Sequence, residues 1–442
     1  MTNKKLYIET YGCQMNVADS EVVISLLNEK GYQITDNIAD ADLILVNTCS
    51  VRENAEIRVR GRLQVFNQQK KKNPGLIIGV IGCMAERLKE ELLEQEKMVD
   101  IVVGPDNYRD LPKLINKAEY GQKSINVALS ADETYGDIKP VHVLSNNVSA
   151  FISIMRGCEN MCTYCIVPYV RGVERSRDPE TIVNEAKELF NKGYKEITLL
   201  GQNVNSYNWQ NENERINFSL LLEMLATVNP DLRIRFATSH PKDLNAGVLN
   251  VMAKYENVCK SIHLPVQNGS NRILEKMNRK YTREWYLEKI NLIKTIVPGC
   301  SISTDIMVGF PGETEEDHLQ TLDLMRKVKF DFAYMFKYSV RPKTYAARKF
   351  KDDVPEDVKI LRLNQVIKLQ SELSHESNKK DIGKVFKVLA EGHSKKSKTE
   401  LFGRNSQNKV VIFPEGNVKP GDYVNVKIEK CTSATLIGSV IN

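Results

Sequence analysis

Apolar residues fall in two rhythms along this chain, and the change from one to the other marks its parts. Leu6-Tyr-Ile-Glu-Thr-Tyr11 reads as a strand ending in a turn at Gly12-Cys13, and residues 17–30 after it carry Val22, Val23, Leu26 and Leu27 at helical spacing. The runs 41–46 and 75–82 repeat the design, each a buried strand ending at a cysteine with a helical stretch behind it, and 98–104 is a further strand. Strands alternating with helices of this length predict a doubly wound parallel sheet over residues 1–125. Residues 126–145, with Ala131-Asp-Glu-Thr-Tyr-Gly136-Asp-Ile-Lys-Pro140, are polar and punctuated by Gly and Pro, and read as a linker. From Ala150 six strand candidates (151–155, 196–201, 233–238, 261–265, 301–308 and 332–338) alternate with helical patterns such as 179–191, 218–228 and 315–328. Six such units over residues 146–376 predict an open, partial (βα)6 version of the eight-unit barrel. Beyond a charged helix at 354–376 the period shortens to strands at 385–391, 410–413, 423–429 and 436–441, the spacing of a small five-stranded β-barrel over 377–442. The fold class is α/β.

Length and composition sharpen this only in places. At 442 residues the chain exceeds one compact core. Met1-Thr-Asn-Lys-Lys leads into a strand rather than a secretory apolar region, and no apolar run has the length of a membrane span, so a soluble cytoplasmic protein is expected. Nine cysteines suit a reducing compartment and metal ligation better than a disulfide framework. The net charge of +6 becomes informative once located: from Asn378 onward twelve Lys or Arg face six Asp or Glu, which accounts for the whole excess. Positive charge concentrated on a small β-barrel is the footprint of nucleic-acid binding, although a solubilising tail would carry it too. Phe402, in Leu401-Phe402-Gly403-Arg404-Asn405, could stack a base there, beside Arg404. The basic run Arg52, Arg58, Arg60, Arg62 and Lys70-Lys71-Lys72 is equally a solvated helix face or a phosphate contact.

The sharpest chemical signal is Arg156-Gly157-Cys158-Glu159-Asn160-Met161-Cys162-Thr163-Tyr164-Cys165, directly after the apolar run 150–155. Three thiols at Cx3Cx2C spacing can face one small inorganic centre. Iron–sulfur clusters normally take four Cys thiolates, so three leave one iron of a cubane without a protein ligand. A zinc site would ask for a second ligand pair further on, yet the next cysteine is Cys259 and no His lies close after Cys165. Cys13, Cys49 and Cys83 each end a strand, where ligands of doubly wound sheets gather. A single buried cysteine is usually inert packing; three at the same position of three successive units favour a second three-thiol iron–sulfur site. Cys259, Cys300 and Cys431 lack motif partners and read as structural. In the barrel the carboxyl ends of strands build the active site, here Gln202, Asn203 and Asn205; Ser239 and His240; His263 and Gln267; Asp305, Gly309 and Phe310; Tyr338 and Arg341. Each of these alone serves equally well as a loop cap or turn former.

Gly157-Cys158-Glu-Asn-Met-Cys162-Thr-Tyr-Cys165-Ile-Val-Pro168-Tyr-Val-Arg171-Gly172 resembles the radical S-adenosylmethionine (SAM) superfamily and, within it, the methylthiotransferase family, over essentially the whole chain. The resemblance implies that Cys158, Cys162 and Cys165 hold a 4Fe-4S cluster whose open iron chelates SAM and whose reduction splits the sulfonium to a 5′-deoxyadenosyl radical. Tyr11-Gly12-Cys13-Gln14-Met15-Asn16, Asn47-Thr48-Cys49-Ser50-Val51-Arg52 and Ile81-Gly82-Cys83-Met84-Ala85 are similar to the family's amino-terminal domain. They imply that Cys13, Cys49 and Cys83 hold an auxiliary 4Fe-4S cluster that handles the inserted sulfur, with two SAM used per turnover. Leu200-Gly201-Gln202-Asn203-Val204-Asn205, Ser239-His240-Pro241, the run His263 to Ser270 and the run Asp305 to Thr314 also resemble family motifs. On that basis Tyr164, Gln202, Asn203, Ser239, Gln267 and Asp305 are expected on SAM, and Arg171, Phe402 and Arg404 on substrate. Tyr338-Ser-Val340-Arg341-Pro342-Lys343-Thr344 departs from the family's Tyr-Ser-Pro-Arg-Pro-Gly-Thr at two positions. The carboxy-terminal module resembles a TRAM domain, an RNA-binding appendage of the family.

Residues 12–16 and 47–56 look most like the branch of the family that adds a methylthio group at C2 of an isopentenylated adenosine beside the anticodon of tRNA. A radical suits that task because an aromatic C–H is far too weak an acid for general-base chemistry. The resemblance implies as partners a tRNA carrying N6-isopentenyladenosine and an external one-electron reductant, with no membrane and a monomeric chain. The alternatives keep the chemistry and change the substrate, to threonylcarbamoyl-adenosine in tRNA or a ribosomal-protein aspartate; the basic terminal barrel argues for RNA over a protein loop. A pure iron–sulfur electron carrier is disfavoured, since both sites run one thiol short.

Overall fold

Consecutive residues of the first strands drop into two different cores, which is why their sequence reads as unbroken apolar runs. The computed structural model describes residues 4–50, 53–143 and 146–441. The first domain runs β1 (Lys4–Tyr11), α1 (Gln14–Asn28), β2 (Tyr32–Ile34), β3 (Leu43–Thr48), α2 (Glu53–Lys72), β4 (Ile77–Gly82), α3 (Cys83–Leu88), α4 (Glu90–Gln95), β5 (Ile101–Val103), α5 (Leu111–Glu119) and β6 (Ser124–Asn126). Its strands form one parallel sheet in the order β2-β1-β3-β4-β5-β6. Leu43 and Leu45 pack with Val23, Leu27 and Leu111 on one face, Ile44 and Val46 with Phe66 on the other. The sheet is doubly wound, as the alternation predicts.

The stretch read as a linker packs onto this domain. Tyr135 and Ile138 enter its core, Tyr135 stacks on Tyr108 with centroids 5.6 Å apart, and its hydroxyl donates to the Pro105 carbonyl at 3.0 Å. His142, further along, bridges two domains: Nδ1 lies 3.0 Å from Glu21 on α1 and Nε2 lies 3.4 Å from Glu185 of the central domain. Burial alone would lower its pKa, but hydrogen bonds to Glu185 and Glu21 push it up to about 9. A histidine raised on folding stabilises fully below the unfolded value near 6.5 and loses that contribution as pH rises through about 9. Stability is therefore expected to fall by on the order of 3 kcal/mol between these limits, read as a drop in Tm that His142→Gln removes.

The central domain continues with β7 (Ser149–Ser153), β8 (Met155–Arg156), α6 (Val167–Arg171), β9 (Arg175–Ser176), α7 (Pro179–Asn191), β10 (Glu196–Leu200), β11 (Asn208–Gln210), β12 (Arg215–Asn217), α8 (Phe218–Ala226), β13 (Arg233–Phe236), α9 (Ala246–Lys254) and β14 (Ser261–His263). It ends with α10 (Asn271–Lys276), α11 (Arg283–Ile296), β15 (Ser301–Val308), α12 (Glu315–Val328), β16 (Phe332–Lys337), α13 (Tyr345–Lys349) and α14 (Glu356–Lys379). The six expected strands are β7, β10, β13, β14, β15 and β16. They form two parallel triplets, β13-β10-β7 and β14-β15-β16, joined where Cys259 N–H donates to the Ile234 carbonyl at 2.9 Å. Among the described residues β7 and β16 do not pair, so the arc stays open. Ile197, Leu199, Ile234, Ile262, Ile302, Ile306 and Ala333 face the helices; the alternate positions face the inside of the arc.

The last domain is a closed barrel of β17 (Val385–His393), β18 (Glu400–Arg404), β19 (Val410–Pro414), β20 (Tyr423–Cys431) and β21 (Thr435–Ile441), in the order β17-β18-β19-β21-β20. The sequence pattern supplied four of these strands and left β18 out, because Gly403 interrupts its apolar alternation. That glycine marks a close backbone approach instead: a Cβ there would stand 2.0 Å from the Leu389 carbonyl oxygen. The barrel seals the base of the arc. Arg233 donates to the Arg404 carbonyl at 2.9 Å and Arg235 to that of Asn405 at 2.6 Å, while Glu196 balances both guanidiniums.

Candidate active site

The radical-type loop is set by a pinch. β8 and β9 pair antiparallel, Met155 with Ser176 and Arg156 with Arg175, and everything between them, from Gly157 through α6, is one excursion. Gly157 turns the chain at φ +79°, where an added Cβ would lie 1.8 Å from the Val173 carbonyl oxygen, so only glycine fits. Cys158 N–H then donates to the Gly172 carbonyl at 3.1 Å. The far side of the loop hangs on the end of α10: Thr163 donates through N–H to the Met277 carbonyl and through Oγ1 to that of Lys276.

Several donors meet these sulfurs. Asn160 Nδ2 approaches Cys158 Sγ at 3.5 Å, Val167 N–H approaches Cys165 Sγ at 3.4 Å, and the buried Arg279 brings Nη1 to 3.3 Å from Cys162 Sγ. Burial pushes the Cys158 thiol up, and burial with the neighbouring Cys162 pushes Cys165 up to about 12. Crowded, desolvated thiols of this kind are stabilised as thiolates once a cationic centre is bound, with release of their protons. Arg279→Met is expected to lower cluster incorporation or SAM cleavage by roughly 10- to 100-fold, the range typical of lost outer-shell partners. Iron content after anaerobic reconstitution, measured beside 5′-deoxyadenosine yield, checks this; wild-type values in both would refute it.

The second trio is assembled by sheet order. β1, β3 and β4 are immediate neighbours, so Cys13, Cys49 and Cys83 leave adjacent carboxyl ends although they lie far apart in sequence. Cys13 caps α1 and Cys83 begins α3, two helix N-termini that favour thiolate. A hydrogen bond with Cys49, opposed by burial and aided by Arg171, brings the Cys13 thiol down to about 6. Burial pushes Cys83 up against the pull of Arg171, whose Nε stands 3.2 Å from its Sγ. Asn16 and Asn47 lock the two turns together, Asn16 Nδ2 donating to Asn47 Oδ1 at 3.0 Å and Asn47 Nδ2 to the Asn16 carbonyl at 2.8 Å. Among the described residues no three His, Cys, Asp or Glu side chains could hold a single metal ion. Two all-thiol sets, each with a guanidinium on one sulfur, fit an anionic iron–sulfur cluster by donor chemistry and charge.

The trios are coupled. Cys83 packs with Ile166 and Val170, the first of which follows Cys165 directly. Asp19 of α1 accepts from Arg156, just before the radical-type loop, at 2.9 Å and from Arg171 at 2.7 Å, all three side chains buried. Arg171, expected on substrate, is thus enclosed between Asp19 and Cys83. Asp19 and Arg279 went unnoticed in the sequence, and Arg156 was read only as the first residue of the cysteine motif; an Asp inside the apolar helix Val17-Ala-Asp-Ser-Glu-Val-Val was the available signal.

At the other strand ends, buried polar atoms stand without partners. Among the described residues Gln202 Oε1, Asn205 Nδ2, His240 Nε2 and Ser153 Oγ have none, and all lie at or just beyond β7, β10 and β13. Burial, then the charges of Arg279 and Lys242, push the His240 pKa down to about 2; its Nδ1 accepts from Lys242 N–H, leaving Nε2 as a donor. Unsatisfied buried groups of this kind suit a polar ligand. Asn203 is engaged by Asp243 at 2.7 Å and Ser239 donates to Asn205 at 3.0 Å. Gln267, at φ +73°, splices into β15 through the Asp305 carbonyl; Asp305 faces His263 at 3.4 Å. Tyr164 is packed edge-on against Phe310, 6.4 Å between centroids. Lys343, where the family pattern has Gly, takes φ +74° and reaches the Arg87 carbonyl on α3.

In the barrel domain Phe402 is half-buried on β18 and Arg404 pairs with Glu391 at the seam. The exposed cations there include Lys395, Lys396 and Lys398, clustered in the β17–β18 loop. On α2, Arg60 and Arg62 are held by Glu56, Glu96 and Glu9, the solvated-face reading; Arg52 lies outside the described residues.

Residues 5–104 match the uncharacterized protein family UPF0004, residues 152–325 the radical SAM superfamily and residues 379–441 the TRAM domain. A tRNA-2-methylthio-N(6)-dimethylallyladenosine synthase of Parabacteroides distasonis is 58% identical over 99% of this chain and 96% of its own length. That of Amoebophilus asiaticus is 57% identical, covering 99% and 92%. Among solved structures, the radical SAM methyltransferase TsrM of Kitasatospora setae aligns with TM-score 0.58 at 14% identity, over 78% of this chain and 75% of that one. The cobalamin-dependent radical SAM enzyme OxsB aligns with TM-score 0.55 at 14% identity, over 84% and 56%. These two speak to the fold alone.

Proposed function

Because the chain belongs to the tRNA-2-methylthio-N(6)-dimethylallyladenosine synthase family, we propose that it inserts a methylthio group at C2 of an N6-isopentenylated adenosine beside the anticodon of tRNA. It is a radical SAM tRNA methylthiotransferase with an amino-terminal UPF0004 domain and a carboxy-terminal TRAM barrel. In this reading Cys158, Cys162 and Cys165 hold one 4Fe-4S cluster, Cys13, Cys49 and Cys83 a second, and two SAM are used per turnover. Clusters bound by these residues would supply the electron for reductive cleavage of SAM and the sulfur that is transferred.

The protein's own part is positioning. Arg279 steadies Cys162, Arg171 steadies Cys83, and Asp19 ties the two loops into one rigid unit. Gln202, Asn205 and His240 offer unmet hydrogen bonds to the polar groups of SAM, and Tyr164, Phe310 and Tyr338 wall the loop off from water. Asn203, Ser239, Gln267 and Asp305 shape the same strand ends. The exposed lysines of the β17–β18 loop, with Phe402 and Arg404 on the adjoining strand, supply the RNA-facing surface. No described helix is long and apolar enough to cross a membrane. A cytoplasmic monomer reduced by an external one-electron donor completes the reading.

The observation that carries it is the pair of three-thiol sets, one guanidinium on each, joined through Asp19. Protein reconstituted anaerobically to about eight irons per chain, as two four-iron clusters require, is incubated with SAM, reductant and three substrates in parallel. Methylthio product is expected on RNA carrying isopentenyladenosine; product only on threonylcarbamoyl-adenosine or a ribosomal-protein aspartate would reject it.

A further inference from the structure

Both faces of a parallel sheet are normally covered, and large exposed aromatics on one of them call for an occupant. On β16 the buried Ala333 and the partly buried Met335 turn toward the helical core, while Phe332, Tyr334 and Phe336 are 49%, 48% and 39% exposed. Strand register fixes which way they face. Phe332 pairs with Ser303, Tyr334 with Asp305 and Phe336 with Met307, and Ser303 pairs in turn with His263. Residues paired across a parallel ladder share a face, so the three rings line the inside of the open arc beside His263 and Asp305. Phe332 and Tyr334 stand edge to face with centroids 4.9 Å apart, and Tyr334 meets the His263 ring at 5.7 Å.

The strip leads toward both cysteine sets. Tyr338, one residue past β16, packs with Phe310 and Tyr164 of the radical-type loop, and Lys343 further on binds the Arg87 carbonyl of α3, the helix that starts at Cys83. A flat group lying on these rings would sit at the unpaired edge of the arc with its reacting end toward the sulfur sites. Charge narrows the occupant. Asp305 shares the face, so a carboxylate-bearing group such as threonylcarbamoyl or an aspartate side chain would be repelled, while a neutral hydrocarbon substituent would not.

We propose that Phe332, Tyr334 and Phe336 form the stacking and alkyl-binding surface for the N6-prenylated adenine, and so set the enzyme's preference for that base. The proposal rests on the tRNA methylthiotransferase reading above. Its test uses the full-length reconstituted protein with SAM and two anticodon stem-loop RNAs that differ only in the isopentenyl group, with Kd read by fluorescence anisotropy. Wild-type protein is expected to prefer the prenylated RNA. Phe332→Ala and Tyr334→Ala should each weaken prenylated binding about ten-fold, as loss of one aromatic stack does, and should bring the two RNAs toward equal affinity. Should alanine lower the Tm of the strand's domain, Phe332→Leu and Tyr334→Leu, which keep apolar volume without the ring, give the same comparison. Variants that retain the wild-type preference would overturn the assignment. A wild-type protein that neither prefers nor methylthiolates the prenylated RNA would instead overturn the functional reading on which it stands.

Discussion

Alanine at Cys158, Cys162 or Cys165 is expected to abolish formation of 5′-deoxyadenosine from SAM. Alanine at Cys13, Cys49 or Cys83 should leave that cleavage detectable while stopping methylthio transfer. The split follows from the construction of the two sites. The first trio lies within one excursion between β8 and β9, so removing one of its thiols leaves two sulfurs on a short loop and no stable cubane. The second trio hangs on three separate strand ends, and its loss does not touch Gly157, Cys158 N–H or the contacts of Thr163 that shape the first. Product analysis by mass spectrometry, with and without RNA, reads both arms. Unchanged methylthio product from any Cys13, Cys49 or Cys83 variant would end the division of labour between the sites.

The second large effect is on stability. Asp19→Ala should destabilise the protein by roughly 3–5 kcal/mol, the cost of removing one partner from a buried ion-pair group. Asp19 is buried, and its two oxygens face Arg156 and Arg171, so alanine would leave the buried Arg171 without its carboxylate and Arg156 with only the Pro105 carbonyl and Asp106. The same carboxyl is held below its ordinary range: burial alone would raise it, but the charges of Arg156 and Arg171 outweigh that. A depressed carboxyl contributes stability above its unfolded value and loses it as pH falls through the folded one, so the variant should also lose part of the acid limb of unfolding. Urea midpoints from neutral pH down to acid test both statements. A loss under about 1 kcal/mol, the level of an exposed pair, would mean the network carries little of the interdomain contact.

The two cysteine trios, the doubly wound first sheet, the six strands of the arc and the terminal barrel were all legible in residue order. Each is a local matter: apolar periodicity writes strand against helix, and Cx3Cx2C is short enough for the backbone alone to bring its thiols near one another. The missing β18 shows the limit even there, since Gly403 is a contact with Leu389 that no window of neighbouring residues contains. Arg171 shows it more plainly. Beside the cysteine motif it passed for a substrate contact, yet its position under Cys83 is set by how α6 lies against α3.

By itself, then, the sequence determined which chemistry this protein owns: two sets of three thiols, a strand-end array of polar groups and a basic final barrel. Only the tertiary structure decided how those parts meet. It brought β1, β3 and β4 side by side so that Cys13, Cys49 and Cys83 converge, placed Asp19 between Arg156 and Arg171, and turned Phe332, Tyr334 and Phe336 inward along an unpaired edge. The physical reason is that sheet order and side-chain facing depend on burial shared among segments more than a hundred residues apart, as between Asp19 and Arg156, and no local spacing encodes that sum.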